Sequence, residues 1–164
     1  MIVPSNGSCA DARCRAYRVA GRRLAALRNE ETMIVTDLMA RGALCVREDE
    51  ALSAAIALMA RHDLGGLPVR GDAGRVVGVI SKTDVLDRVA EGKTLDVAVG
   101  ESMSAPALTV AETTPIDDAL RAMADEGVHR LVVLDETGEP VGIFSPWDVV
   151  RAVTEGRLAL SSRP

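Results

Sequence analysis

The sequence predicts an α+β protein made of two β-α-β-β-α units, related by a pseudo-two-fold and packed sheet to sheet. Three observations lead there. Displacing the 164-residue chain by 64 positions lays 35–92 on 99–156 without a gap. Twenty of the 58 aligned positions are identical, among them Met39/Met103, Leu44/Leu108, Met59/Met123, Gly78/Gly142, Ser81/Ser145 and Asp84/Asp148. Helical and strand periodicities alternate within each unit, and the apolar supply is aliphatic: 48% of residues are hydrophobic, with one Phe, one Trp and one Tyr. A single unit of about 60 residues is too small to bury its own sheet, so the two share a core.

The elements follow in order. Val35–Met39 and Val99–Met103 read as short leading helices, Ala43–Val46 and Ala107–Val110 as short extended pieces. A helix over Glu50–Arg61 puts Leu52, Ile56 and Met59 on one face. Its counterpart opens at Thr114 with Pro115 in the first helical position, where a proline has no amide to lose. Leu67–Arg70 and Val76–Ile80 are strands around a Gly71–Gly74 turn; Leu131–Leu134 and Val141–Phe144 are strands around Asp135–Glu139. Each unit closes with a helix, Ser81 to Glu91 and Ser145 to Glu155, stopped by Gly92 and Gly156 where a left-handed residue is needed. The expected plan is a basic N-terminal extension 1–32, a first repeat 33–92, a linker 93–98, a second repeat 99–157 and a tail 158–164.

Composition excludes several classes. The longest apolar run, Ala51–Ala60, stops at Arg61, far short of the roughly 18 residues a bilayer requires, and the first residues lack a signal peptide's apolar stretch. A cytoplasmic protein without a membrane partner is expected. Net charge is −5, yet 1–32 carry six arginines against three acids and the remainder sums to −8. An acidic body and three rings argue against nucleic acid as a partner. The leading segment admits a basic helix over Ala12–Arg28, a disordered arm, or a stretch upstream of a native start at Met33. Cys9 and Cys14 lack a second pair for a metal, and Cys45 among apolar neighbours reads as a small core residue.

The chemistry concentrates in Gly78-Val-Ile-Ser81-Lys-Thr-Asp84 and Gly142-Ile-Phe-Ser145-Pro-Trp-Asp148. Serine at an N-cap with a carboxylate three residues on is a capping box, contributing about 0.5–2 kcal/mol to the helix start. The same place suits a ligand. A helix N-terminus offers free amides to an anion, the carboxylate can accept two hydroxyl protons from a ribose diol, and the preceding glycine allows close backbone approach. Capping and ligand binding are both open on the residues alone.

In their setting these segments resemble the G-h-h-[ST]-x-x-D ending of the CBS domain, and 35–156 is similar to a tandem CBS pair, or Bateman module. Asp37-Leu-Met39 matches the family's opening, and Glu101-Ser-Met103 follows it less closely. Leu67-Pro68-Val69 matches its h-P-V strand; the second copy, His129-Arg-Leu-Val-Val133, has Val132 in place of proline. The resemblance implies a non-catalytic regulatory or energy-sensing module that needs no cofactor. It implies an adenosine ligand (AMP, ADP or ATP, alternatively S-adenosylmethionine or NAD(H)), a homodimer and a regulated protein partner. It further implies Asp84 and Asp148 on ribose hydroxyls, Ser81 and Ser145 beside sugar or phosphate, and an aliphatic adenine slot lined from Leu44, Leu67, Pro68, Thr109 and Leu131.

The copies differ in chemistry. His129 and Arg130 stand where the first copy has Gly65 and Gly66, and Lys82 stands where the second has Pro146. Arginine can fork onto phosphate oxygens, so the cleft holding Arg130 is expected to prefer a phosphorylated ligand. Equally, Arg130 can be a surface residue and the glycines the relief of a tight turn. No enzyme is expected: His62 aligns with Glu126 and His129 with Gly65, so no base recurs, and neither a nucleophile elbow nor a P-loop is present. Trp147 reads as core or edge packing, or as an interface anchor. The rival reading is a ligand-free homodimeric assembly module in which both boxes are only caps.

Overall fold

The computed structural model describes residues 14–16 and 33–158. Expectations for the rest of 1–32 and for 159–164 lie outside the described residues. In the first repeat, β3 (Val46–Arg47) runs parallel to β4 (Gly66–Arg70), and β4 pairs antiparallel with β5 (Val76–Ser81). Helix α2 (Leu52–Arg61) connects β3 to β4, and α3 (Lys82–Ala90) follows β5. The second repeat has the same order: β6 (Ala107–Ala111), α4 (Ile116–Glu126), β7 (Leu131–Leu134), β8 (Pro140–Phe144) and α5 (Pro146–Thr154). The duplication extends to an irregularity, since the register slips at Val69/Arg70 and at the equivalent Val133/Leu134.

Local chemistry accounts for the boundaries. Every residue of β5 is buried, as its unbroken apolar run requires of a strand covered on both faces. Gly92 and Gly156 follow α3 and α5 at φ +68° and +70°, where a Cβ would strain the chain. Pro115 sits one place earlier than its helix propensity suggests: at φ −57° and ψ 141° it is the N-cap, and α4 starts at Ile116. Cys45 is only half-buried, its thiol donating to the Ala43 carbonyl, so it is not the core side chain its neighbours suggest. Residues Cys14–Ala16 form a strand, β1, parallel to β6, which interrupts the basic helix admitted as one alternative over Ala12–Arg28.

The repeats are interlocked because each lends its leading segment to the other. After α1 (Val35–Leu38), β2 (Ala40–Arg41) pairs with β8 of the second repeat, Ala40 opposite Ile143 and Arg41 opposite Gly142. At the equivalent place, behind a single 3₁₀ turn at Val99–Glu101, Ser104 bridges Val79 of β5. The cores follow the exchange. Val35, Leu38 and Met39 are buried with Leu108, Leu131 and Phe144, whereas Val99 and Met103 pack with Leu52, Leu67 and Ile80. A smaller cluster of Val76, Val79, Ala107 and Val132 joins the three-stranded sheet β3-β4-β5 to the five-stranded sheet β1-β6-β7-β8-β2. On the exposed side, Arg70 Nη2 donates to Glu139 Oε2 at 2.5 Å, tying one hairpin to the other and holding the Glu139 carboxyl below its ordinary range.

Two glycines permit the crossing. A Cβ on Gly142 would lie 2.5 Å from the Ala40 carbonyl oxygen, and one on Gly78 would lie 2.9 Å from that of Ser104. The close approach these glycines allow is therefore made by the other repeat's backbone. Gly142→Ala should destabilise the protein by about 1–3 kcal/mol through overpacking, overriding the roughly 0.4–1 kcal/mol gained by stiffening the unfolded chain. Urea denaturation of the variant checks this, and unchanged stability would contradict the crossing.

Candidate functional site

Each Ser-x-x-Asp box forms as a helix cap. Ser81 and Ser145 have extended backbones (φ −130° and −142°), so the chain turns from strand into helix at these residues. Ser81 N and Oγ donate to Asp84 Oδ2 at 2.7 and 2.5 Å; Ser145 N and Oγ donate to Asp148 Oδ2 at 2.8 Å each. The second carboxylate oxygens have different partners. Asp84 Oδ1 accepts from Ser104 Oγ at 2.8 Å, a hydroxyl on the crossing segment of the other repeat. Asp148 Oδ1 accepts from the Arg151 guanidinium of its own helix. Asp148 is only 4% exposed, so this arginine supplies the countercharge a buried carboxylate needs.

A cleft of about 380 Å³ opens between the repeats, walled by β2 and the loop after it, by Asp63–Gly66 and by the start of α5. That volume lies in the range of small-molecule sites. Six of the residues expected from the sequence line it: Leu44, Pro68, Lys82, Arg130, Ser145 and Asp148. Leu67 and Leu131 do not; at 1% and 0% exposure they belong to the two cores. Ser81 and Thr109 are buried, Asp84 is half-buried and His129 exposed, all outside this cleft.

Among the cleft residues not singled out for a ligand, three have side chains able to bind one: Arg41, Arg151 and Trp147. Arg41 arrives with the exchanged strand, a placement that no local pattern announces. Arg151 was findable from its spacing, three residues beyond Asp148, and from its alignment with Asp87. Trp147 is 70% exposed on the cleft wall, which rules out core packing and gives the site an aromatic face. A shallower hollow of about 440 Å³ adjoins the cleft and shares Arg41 and Arg151 with it. No group of three or more metal-ligating side chains converges among the described residues, and no helix among them is long and apolar enough to cross a membrane.

Arg130 explains Gly65 and Gly66. A Cβ on Gly65 would come within 2.9 Å of Arg130 Nη2, and one on Gly66 within 3.2 Å of Arg130 Cδ and 3.0 Å of the Ile80 carbonyl. Positions 66 and 130 are equivalents under the repeat shift, so they meet at the pseudo-two-fold and only one can carry a large side chain. Burial lowers the guanidinium's pKa, while the nearby charge of Asp84 raises it. Arg130 has no hydrogen-bond or ion-pair partner among the described residues.

A pair of α+β repeats with exchanged leading segments and a capped carboxylate in each defines a tandem-repeat class. The CBS domain profile matches residues 35–91 and 97–155, and the chain belongs to the CBS domain family. An uncharacterized protein of Methanocaldococcus jannaschii is 33% identical over 119 residues, which are 72% of this chain and 28% of that protein. The chain thus spans little more than a quarter of that relative's length. Among solved structures, an uncharacterized conserved protein from Pyrococcus horikoshii superposes with a TM-score of 0.68 at 29% identity, covering 82% of this chain and all of the other. The structure of CBSX2 in complex with AMP gives 0.59 at 28% identity, covering 76% and 98%.

The shared space of residues 66 and 130 predicts coupling. Gly66→Ala and Arg130→Ala should each destabilise, but the double variant should be more stable than their sum by about 0.5–3 kcal/mol. Chemical denaturation of the four proteins measures it; strict additivity would mean that the two side chains do not compete.

Proposed function

We propose that the chain is a non-catalytic regulatory module that binds an adenosine-containing ligand in the clefts between its repeats and passes ligand state to a partner protein. One observation carries this reading: each repeat sets a carboxylate at a helix N-terminus beside the inter-repeat boundary, and Arg130, half-buried and without a bonding partner, lies between them. At Asp84 a ribose diol takes the place of the Ser104 hydroxyl, with Ser81 beside the sugar, and Thr109 and His129 near the base or phosphate. Asp148, Ser145, Lys82, Leu44 and Pro68 serve the other cleft, with Arg130 on a phosphate there. The complex of the similar CBSX2 with AMP supports an adenosine ligand of this size.

Because Ser104 belongs to the exchanged segment, ligand at Asp84 changes how the second repeat is tethered to the first. Such a change transmits only if the ligand prefers one arrangement over the other. A cytoplasmic homodimer completes the proposal. Leu86 and Val89 on α3 and Trp147 and Val150 on α5 are exposed apolar residues on equivalent helices, and a second copy is the occupant they suit.

Thermal unfolding with AMP, ADP, ATP, S-adenosylmethionine and NADH tests the ligand class. A true ligand at about 100 times its Kd adds roughly 2.7 kcal/mol of stability. Asp84→Asn should weaken binding by about ten- to a hundred-fold, as losing a charge-assisted hydrogen bond implies. No shift with any compound would leave the assembly module as the better reading. For the dimer, sedimentation equilibrium of Leu86→Glu with Val150→Glu should report a monomer.

A further inference from the structure

The repeat predicts two equivalent clefts, and among the described residues the chain's leading strand lies along one of them. The open cleft beside Asp148 is walled in part by Ala43 and Leu44, just ahead of β3. Under the 64-residue shift Ala43, Leu44 and Cys45 correspond to Ala107, Leu108 and Thr109, the first three residues of β6. Those are the residues that β1 pairs with: Cys14 opposite Ala107, Arg15 opposite Leu108 and Ala16 opposite Thr109. Pairing accounts for the length of β6. Thr109, Val110 and Ala111 pair with β7, whereas Ala107 and Leu108 have β1 alone among the described strands. The equivalent strand β3, at the edge of its sheet, has two residues against five in β6. Burial follows the pairing: Leu44 is 40% exposed and Leu108 only 6%. Ile143 and Ser145 are half-buried, while their counterparts Val79 and Ser81 are 8% and 5% exposed. Strand β1 also lies against β5, which leads into Ser81 and Asp84.

We propose that the edge of β6 is a strand-addition site which the chain's own segment Cys14–Ala16 fills, closing the Asp84-side cleft until a ligand displaces it. That a ligand binds there rests on the reading in the preceding subsection; the strand seat rests on pairing and burial. An extended segment adds to a sheet edge through main-chain hydrogen bonds, which need no particular side chain. An unpaired edge is a ready template for another strand, and a segment of the same chain meets it at high effective concentration. A base lodged against Thr109 and its neighbours needs the wall that β1 covers, so the two compete. Asp84 and Ser104 stay half-buried and exposed, so the ribose end is open while the slot behind it is shut. Such competition lowers apparent affinity by the fraction of chains whose edge is free. By reciprocity, ligand at Asp84 releases the leading strand. The Asp148 side binds directly, and the Asp84 side exchanges an internal strand for ligand.

Alternate residues of a strand bond a parallel neighbour, so two successive prolines remove a ladder donor whichever residue supplies it. In the full-length double variant Arg15→Pro with Ala16→Pro, amides of Ala107–Thr109 should exchange with deuterium at least about tenfold faster than in the wild type, with β7 and β8 unchanged. AMP should then bind the Asp84 side at least about tenfold more tightly, the factor expected where about one chain in ten has a free edge. Calorimetry reads this gain, and Asp84→Asn should cancel it. In the wild type, saturating AMP should itself speed exchange at Ala107–Thr109, and slower exchange there overturns the displacement without recourse to any variant. Unchanged exchange in the proline variant overturns the seat. Faster exchange with unchanged AMP affinity overturns the competition and leaves the adenosine reading standing. Faster exchange with AMP bound by neither protein supports the seat and overturns the adenosine reading.

Discussion

The crossing of the two leading segments holds the molecule together. Ala40 and Ser104 each lay their carbonyl against a glycine in the last strand of the other repeat, and the residues before them complete the other repeat's core. Val35 and Val99, both fully buried, mark how far this reaches. Neither repeat has a finished core without its neighbour, which is the physical reason a unit of this size occurs in pairs. The clefts exist for the same cause. The chain must turn from the crossing strand back into its own sheet, and the loop at Gly42–Leu44 that makes this turn becomes a cleft wall.

What duplication kept and what it let go separate cleanly by role. Identities concentrate where the crossing and the caps require them: Met39/Met103, Gly78/Gly142, Ser81/Ser145 and Asp84/Asp148. Differences concentrate around the clefts and on the axis itself. Two copies of one residue cannot both be large at the pseudo-two-fold, so a site near the axis is asymmetric by steric necessity; Arg130 over Gly65 and Gly66 is that asymmetry. Once one arginine lies there, its charge is felt with that of Asp84 while its side chain lines the cleft of Asp148, and Arg41, Lys82 and Arg151 add further cations to that cleft.

The sequence made the fold legible because a gapless repeat carries its own internal control: a strand or helix seen in one copy is tested by the other. It also made the caps legible, since Ser-x-x-Asp acts over one helical turn. The pairing partners were hidden. Nothing within Val35–Arg41 says that this segment completes the second core, because a swap leaves periodicity unchanged. Leu67 and Leu131 look like slot residues for the same reason: an apolar strand position does not say which face it turns, and both point into the cores. Trp147 left core, edge and interface all open in the sequence, and α5 presents it to solvent, which excludes the core alone.

The two carboxylates look alike in sequence and are held by different things, and this bears on how such a module could signal. Asp84 is bonded to Ser104, a residue of the crossing segment, so whatever replaces that hydroxyl acts directly on the link between repeats. Asp148 is bonded to Arg151 one turn along its own helix, so a change there alters charge in the cleft and leaves the crossing intact. On the proposed function, the first arrangement would couple occupancy to repeat geometry and the second to electrostatics. One duplicated cap is thus held in two ways, and the partners of the second carboxylate oxygen make the difference.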